Sequence, residues 1–519
     1  MKLTIKRDNV IDIAIYLIFI VALFHSLFSV FVGINNTIVD MHGFRQSQTA
    51  LSALYMQKGG PFFKYETPIN GFPWSMPLEF PLYQWIVAQM TILFNENLDT
   101  IGRVVNIISF YLALIICFFS LKQYLGKTSS CLIFISLILA SPLYLFWSRT
   151  FLIDVHVFLY AAPYIIFGIL YLNTRKLKHS ITGLFFGILA GLVKITTFYV
   201  LSLVMCAIFC FEYYKKNKLK VDLLKIKEEA NFIFCFAILP LIAQIIWMKF
   251  ADGVNNENPL ASGEMTSAGL FYWNFGTLEQ KLSLLTWGQF YHHTIFNTLG
   301  STFLVLLWAL LFILANKKTK LLSATSLLIA ILVFATFTNL HFVHNYYSYA
   351  DGFLILFSLG LPILQYIDEQ NLSKRMIGVS ILLLVVFSEI VSHRNSALFM
   401  LQGHNRTNIQ EFGNKIQEYV KEDEVLYIWG HEKNPEVTYY SQRRSIMENT
   451  TGSILNDKLQ KAIAMTDKEK ITGLVVCADR FKNKELLNER LFTFNLSSNP
   501  IMRYQTPYEN IRDCYFFAR

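Results

Sequence analysis

Leu78-Glu79-Phe80-Pro81-Leu82-Tyr83-Gln84-Trp85-Ile86-Val87-Ala88-Gln89-Met90-Thr91-Ile92-Leu93-Phe94 is the run on which the topology of the whole chain hangs. If it crosses a bilayer, every later loop changes side. Lys122 and Lys127 are then outside, as are Arg175, Lys176 and Lys178. So is the densest block, Lys215, Lys216, Lys218, Lys220, Lys225 and Lys227. That opposes the tendency of short basic loops to stay in the cytoplasm at every step. The run is also short, and Glu79, Gln84 and Gln89 interrupt it, which suits a helix lying in the membrane interface. Residues 34 to 100 therefore read as one outer loop carrying two membrane-surface helices. The N-terminus, with Lys2, Lys6 and Arg7, reads as cytoplasmic.

The composition agrees with a membrane chain. Of 519 residues, 54% are hydrophobic and only 16% charged, and mean hydropathy is +0.41. A soluble protein of this length carries more charge. The 46 Phe and 26 Tyr suit lipid-facing and interfacial positions. A net charge of +9 does not call for nucleic acid, because much of the basic excess sits in short loops as a topology signal. Val10 to Val32 is too long for the apolar core of a signal peptide and is read as a retained span. Ten more spans follow at about 101–121, 129–148, 154–173, 180–196, 197–213, 230–250, 299–316, 321–340, 349–367 and 375–392. Eleven spans put the C-terminus outside. The stretch 180–213 can also be read as a broken pair, with Lys194 near its outer bend. No acid–base cluster stands mid-membrane, where a proton-coupled transporter would place one.

After about His393 the composition becomes soluble. The expected fold class is a polytopic α-helical membrane domain, residues 1–395, followed by a small extracytoplasmic α/β domain, residues 396–519. In the tail, Asn408 to Val420 has helical spacing, and Val425 to Trp429 and Ile471 to Cys477 read as buried strands. Ile454 to Met465 and Lys484 to Leu491 read as helices, and Asn510 to Phe517 as strand-like. Cys477 and Cys514 could pair, although nothing in the sequence requires it.

Function is sought where the first span ends, at Asp40-Met41-His42-Gly43-Phe44-Arg45-Gln46-Ser47-Gln48-Thr49. Ionisable groups at that depth are expensive unless they have a role. A helix capped by Asp40 places His42, Arg45, Gln46 and Thr49 on one face, and Phe44, Leu51 and Tyr55 on another that can rest on lipid. The polar face suits a phosphate-bearing substrate reached from the membrane surface. A capped interfacial helix with snorkelling polar groups is the plain alternative. Other outward groups are Arg149, Asp154, Lys194 and the turn His344-Asn345-Tyr346-Tyr347. Each also has a plain reading: Asp154 as a helix cap, Lys194 as a snorkelling lysine, the His–Tyr turn as an aromatic belt. His292 and His293 in the outer loop from Ala251 to Gly300 read as interfacial. Tail residues Trp429-Gly430-His431 and Tyr439-Tyr440 read equally as folding residues or an acceptor surface.

Transfer of a sugar from a lipid phosphate needs a carboxylate to take the acceptor's proton and cations to stabilise the departing phosphate. Asp40 or Asp154 could be the first; Arg45, Arg149 and Lys194 could be the second. A divalent ion between carboxylates and a histidine is a further option, which the spacing does not identify.

On three motifs the chain resembles the GT-C superfamily of integral-membrane glycosyltransferases. It is most similar to the branch with protein O-mannosyltransferases and bacterial aminoarabinose transferases (glycosyltransferase family 39-like). The motifs are an acidic residue after the first span followed by Arg-Gln (Asp40, Arg45, Gln46), Ser148-Arg149 with Asp154 opening the fourth span, and His344-x-Tyr346-Tyr347. The outer-loop segment Trp74-Ser75-Met76-Pro77-Leu78-Glu79-Phe80-Pro81 also fits, but Glu79 stands between the prolines, where the commoner family form has a Lys before them. The resemblance implies catalytic Asp40 and Asp154. It implies substrate or phosphate contacts by Arg45, Gln46, Glu79, Arg149, His344, Tyr346 and Tyr347, to which the residue chemistry above adds His42 and Lys194. It implies a polyprenyl-phosphate-sugar donor and a glycan (O-antigen-like), lipid or protein acceptor, at the periplasmic side of a bacterial inner membrane. The rival readings are an O-antigen polymerase or ligase and a transporter or flippase of lipid-linked glycans. No P-loop or other nucleotide loop is present.

Overall fold

A computed structural model of the chain describes residues 7–217, 229–448, 457–506 and 513–519. Lys2 and Lys6 lie outside the described residues, as do Lys218, Lys220, Lys225 and Lys227 of the basic block and the first residues of the 454–465 and 510–517 segments. The chain forms two compact units. One consists of Met1–Ile34, Val104–Ile245 and Phe271–Gln402. The other consists of Asn35–Arg103, Ile246–Leu270 and Gly403–Arg519.

Among the described residues, seven helices are long and apolar enough to cross a bilayer: Val10–Phe31, Leu98–Leu125, Ile153–Thr174, Ile195–Lys215, Ala230–Glu257, Lys317–Thr336 and Leu372–Arg394. The chain is a multi-pass membrane protein. The other four expected spans are also helical but depart from one straight crossing each. Thr128–Ala140, Leu177–Val193 and Gly352–Ile367 are shorter apolar helices. Leu284–Leu299 and Thr302–Leu314 form a pair bent by 91°. The expected span at 129–148 breaks because Ser141 precedes Pro142: the ring forces Ser141 to an extended ψ of 126°, and a second helix, Pro142–Trp147, restarts on the proline. The stretch 180–213 is the broken pair, with Lys194 extended at the break. The run at 78–94 forms the helix Leu82–Phe94, 13 residues long. It is shorter than a straight crossing needs, and Trp85, Ile92, Leu93 and Phe94 stay exposed, which suits an interfacial helix.

Two expectations about helix faces fail. Asp40 does not cap a helix; the helix is Gly43–Gln57, preceded by His42 in a left-handed conformation (φ 51°). Leu51 and Tyr55 do not rest on lipid but are buried. The helix is rich in small residues (Gly43, Ser47, Ala50, Ser52, Ala53), which lets neighbouring elements approach on several sides. Glu389 is fully buried near the end of the Leu372–Arg394 helix, with His393 one turn later, and neither carboxylate oxygen has a hydrogen-bond partner among the described residues. The segment 251–300, expected as an outer loop, is largely helical.

In the second unit the tail builds a five-stranded sheet: β1 (Val425–Trp429), β2 (Arg444–Glu448), β3 (Ile471–Cys477), β4 (Met502–Gln505) and β5 (Asp513–Ala518), in the order β2-β1-β3-β5-β4. The first three neighbours are parallel, and β5 and β4 are antiparallel additions. β1 and β3 are buried at every position, which is why their sequences read as continuous apolar runs. β2 and β4 were not expected. Both are edge strands with polar residues, Arg444 and Arg503 among them, so their period is weak. The segment 67–71 after the first span closes the β2 edge: Ser445 N donates to Pro68 O at 2.9 Å and Met447 N to Ile69 O at 2.9 Å. Arg444 adds an ion pair to Glu66 at 2.8 Å. Cys477 and Cys514 face each other on β3 and β5 and form a disulfide.

Candidate active site

In the second unit the chain leaves its first span through Asn35–Val39 and reaches Asp40, whose side chain is 4% exposed. Both carboxylate oxygens are held. Oδ1 accepts from Gln46 Nε2 at 2.5 Å, and Oδ2 accepts from Arg103 Nη2 at 3.2 Å. Gln46 lies one turn into the helix, and its amide also donates to Met41 O at 2.9 Å. Arg103 is completely buried and also donates to Thr37 O at 3.0 Å and to Asn36 O. These two bonds, one to each oxygen, fix the orientation of the Asp40 carboxylate.

Arg45, on the same helix, pairs with Glu79 and also donates to Gln48. Tyr65 fixes the other end of the Glu79 segment. Its hydroxyl donates to Glu79 O at 3.0 Å and accepts from Leu78 N at 2.8 Å. Burial pushes its phenol well above the ordinary value, so it stays a donor. Arg45, Glu79, Gln48, Thr49, Ser52 and Gln84 help to line a small solvent-open cleft. Gln46 bonds Asp40 and stands next to Arg45 on the helix, and Arg45 pairs with Glu79 in the cleft. Asp40, Gln46 and His42 lie outside the lining of the cleft, and His42 stacks edge-on to Phe44 at 6.4 Å.

The remaining candidates gather in the first unit. Arg149 is fully buried and donates to Gly33 O at 2.8 Å. Asp154 lies in the first turn of Ile153–Thr174 but is not its cap, which is Leu152. Lys194 is 4% exposed, so it does not snorkel; its Nζ stands 5.2 Å from the centre of the Tyr347 ring. Tyr346 and Tyr347 pack at 4.5 Å, and His344 stacks on Tyr346 at 5.3 Å. All three rings are buried, so this is not an exposed aromatic belt. Trp147 touches Tyr346 at 5.8 Å, which ties the Arg149 turn to the His–Tyr turn.

Two groups here escaped the sequence reading. Asp351 is fully buried, and His341 Nε2 stands 3.9 Å from its Oδ2. Arg103 also went unmarked, because a lone arginine near the start of a span reads as an anchor. An arginine six residues into such a helix, past the interface, was the available signal. Of the His, Cys, Asp and Glu side chains described, the group of three close enough for one ion is His431, Cys477 and Cys514, and its two cysteines are joined to each other. His431 is buried, and burial pushes its imidazole down to about 4. No carboxylate set at Asp40 or Asp154 presents comparable ion geometry.

ArnT of Cupriavidus metallidurans, in a crystal structure with undecaprenyl phosphate bound, matches this architecture with a TM-score of 0.61 at 11% identity, covering 96% of this chain and 97% of its own. The chain has the GT-C fold. The same fold is shared at lower similarity by the archaeal oligosaccharyltransferase AglB of Archaeoglobus fulgidus, seen in complex with an inhibitory peptide and a dolichol-phosphate. There the TM-score is 0.51 at 9% identity, over 90% of this chain and 69% of AglB. No family model matches the sequence, and no curated protein matches it either. The GT-C fold is thus carried by architecture with little sequence identity: apolar helices vary freely in sequence, because many side chains satisfy a lipid-facing position.

Proposed function

We propose that the chain moves one sugar from a polyprenyl-phosphate carrier to an acceptor at the periplasmic face of a bacterial inner membrane. A surface glycan of O-antigen type is the acceptor we favour. The observation that carries this reading is the buried carboxylate of Asp40, held by Arg103 and by Gln46, the helix neighbour of the Arg45 that pairs with Glu79. Two similar folds bound to polyprenyl-type phosphates, undecaprenyl phosphate and dolichol-phosphate, support it.

In this reading Asp40 accepts the proton of the acceptor hydroxyl. The hydroxyl oxygen bonds to the anomeric carbon, and the bond from that carbon to the phosphate oxygen breaks. The departing polyprenyl phosphate takes the electron pair, stabilised by guanidinium groups. Arg45 in the second unit, oriented by Glu79, is assigned that phosphate role, and Arg149 and Lys194 in the first unit are separate candidates for it. No step is routed through a metal. Arg45→Lys and Arg149→Lys each keep the charge and lose the planar fork that holds two oxygens at once. Each should raise the KM for the lipid donor about tenfold while the protein still inserts. Unchanged donor kinetics in both would remove these arginines from the site.

The Cys477–Cys514 disulfide supports an outward-facing tail, since such bonds persist in oxidising compartments. The accompanying topology has a direct check. Cysteines placed at Lys127 and Lys176 should react with membrane-impermeant reagents only from the cytoplasmic side. Labelling of both from outside would mean that 78–94 crosses after all.

A further inference from the structure

The segment that carries Asp40 has no regular secondary structure, yet its peptide groups are tied down one after another. Thr37 N donates to Asn405 Oδ1 at 3.1 Å, and Ile38 N donates to the Tyr440 hydroxyl at 2.9 Å. Arg406 Nη1 donates to Val39 O at 2.9 Å. Three consecutive residues before Asp40 are therefore held by side chains that come from the tail. A free loop would not keep a carboxylate aimed within the fraction of an ångström that catalysis needs.

A second line of contacts, with one electrostatic link, reaches the carboxylate itself. Tyr440 accepts from the backbone of Ile38, so its own proton is directed elsewhere, to Asp99 Oδ2 at 2.8 Å. Tyr439 donates to the other oxygen, Asp99 Oδ1. Burial holds both phenols well above the ordinary value, so both remain donors at any physiological pH. Asp99 and Arg103 are one turn apart on the Leu98–Leu125 helix, and the charge of Arg103 is felt at Asp99. Arg103 in turn bonds Asp40. The order is tyrosine hydroxyls, Asp99, Arg103, Asp40. The two hydroxyls satisfy Asp99 and so leave Arg103 available to Asp40. The Glu436–Ser441 helix that carries the tyrosines is seated by Gly413, where a Cβ would come within 2.5 Å of the Tyr440 carbonyl.

We infer that Tyr439 and Tyr440 of the tail are positioning residues for Asp40, acting through Asp99, Arg103 and the backbone of residues 37–39. The tail is then part of the transfer machinery and not only an acceptor surface. This inference rests on the assignment of Asp40 as the base.

The test uses full-length protein in lipid nanodiscs with a polyprenyl-phosphate sugar donor. Tyr439→Phe/Tyr440→Phe keeps both rings and removes both hydroxyls. Its kcat should fall on the order of tenfold to a hundredfold, with the KM for the lipid donor unchanged. Made on top of Asp40→Asn, the same pair of changes should produce no further fall, because residues acting as a unit are not additive. An unchanged kcat overturns the inference, as does an equal fall in the Asp40→Asn background. Arg406→Gln, which loses the bond to Val39, should show the same split if the tyrosine pair proves unstable. Normal transfer by Asp40→Asn alone is the separate result that overturns the base assignment, and the inference falls with it.

Discussion

Asp40→Asn should insert, fold and bind polyprenyl phosphate, yet lose transfer by on the order of a hundredfold or more, the usual cost of removing a general base. The substitution is nearly isosteric. The asparagine oxygen can still face Arg103, which donates at 3.2 Å to Oδ2 in the native chain. Its amide nitrogen then faces Gln46, whose own amide can turn over to present an oxygen in place of the Nε2 that now donates at 2.5 Å. Size and the Arg103 contact are thus kept, at the cost of the Gln46 bond to Met41 O, and the main loss is the charge that would receive a proton. Rate measurement on purified protein, beside a lipid-binding assay, separates the two. Near-normal transfer would reduce Asp40 to an anchor for Arg103 and send the search for a base to Asp154, Glu79 or His344.

The second large effect lies in the tail. Arg490 and Glu448 form an ion pair at 3.1 Å in which the two side chains are 1% and 0% exposed. Tyr427 donates to the same carboxylate at 2.6 Å, and the guanidinium lies 5.3 Å from the Trp429 ring centre. Removing one partner of such a pair leaves a buried charge without compensation and typically costs about 3–5 kcal/mol. Arg490→Met should therefore destabilise the tail sheet by about that amount, seen as faster amide exchange in β1, β2 and β3. Arg490→Met combined with Glu448→Gln removes the stranded charge and should recover part of the loss. If Arg490→Met leaves exchange unchanged, the pair is not buried as described.

Much of the architecture was legible because it follows from crude physics. All eleven apolar runs became helices, because a run of apolar residues has few other ways to satisfy its backbone in lipid. The run at 78–94 was decided by the lysines and arginines far from it, and the 13-residue helix found there agrees. Where runs broke, local chemistry decided. Pro142 split one span and Lys194 ended another, and only the second break was anticipated. The edge strands β2 and β4 were missed because a strand with one partnered side carries little periodic signal. Around Asp40 the sequence spacing correctly marked Arg45 and Gln46 as neighbours. It could not mark Arg103, Asp99, Tyr439 or Tyr440, which approach the Asp40 segment from 59 to 400 positions away in the chain. Such contacts depend on tertiary packing that no local pattern encodes. The cap assignment failed for a related reason: Arg103 and Gln46 hold the Asp40 carboxylate, so it is not spent on helix N–H groups.

The measurement that bears most directly on the account is mass analysis of surface glycans from cells with and without this gene, complemented by the native chain and by Asp40→Asn. The account predicts that one glycan loses the mass of a single sugar without the gene, that the native chain restores it, and that Asp40→Asn does not. An unchanged set of glycan masses, or a loss of whole repeat units with a shifted length distribution, would contradict it and point to transport or polymerisation instead.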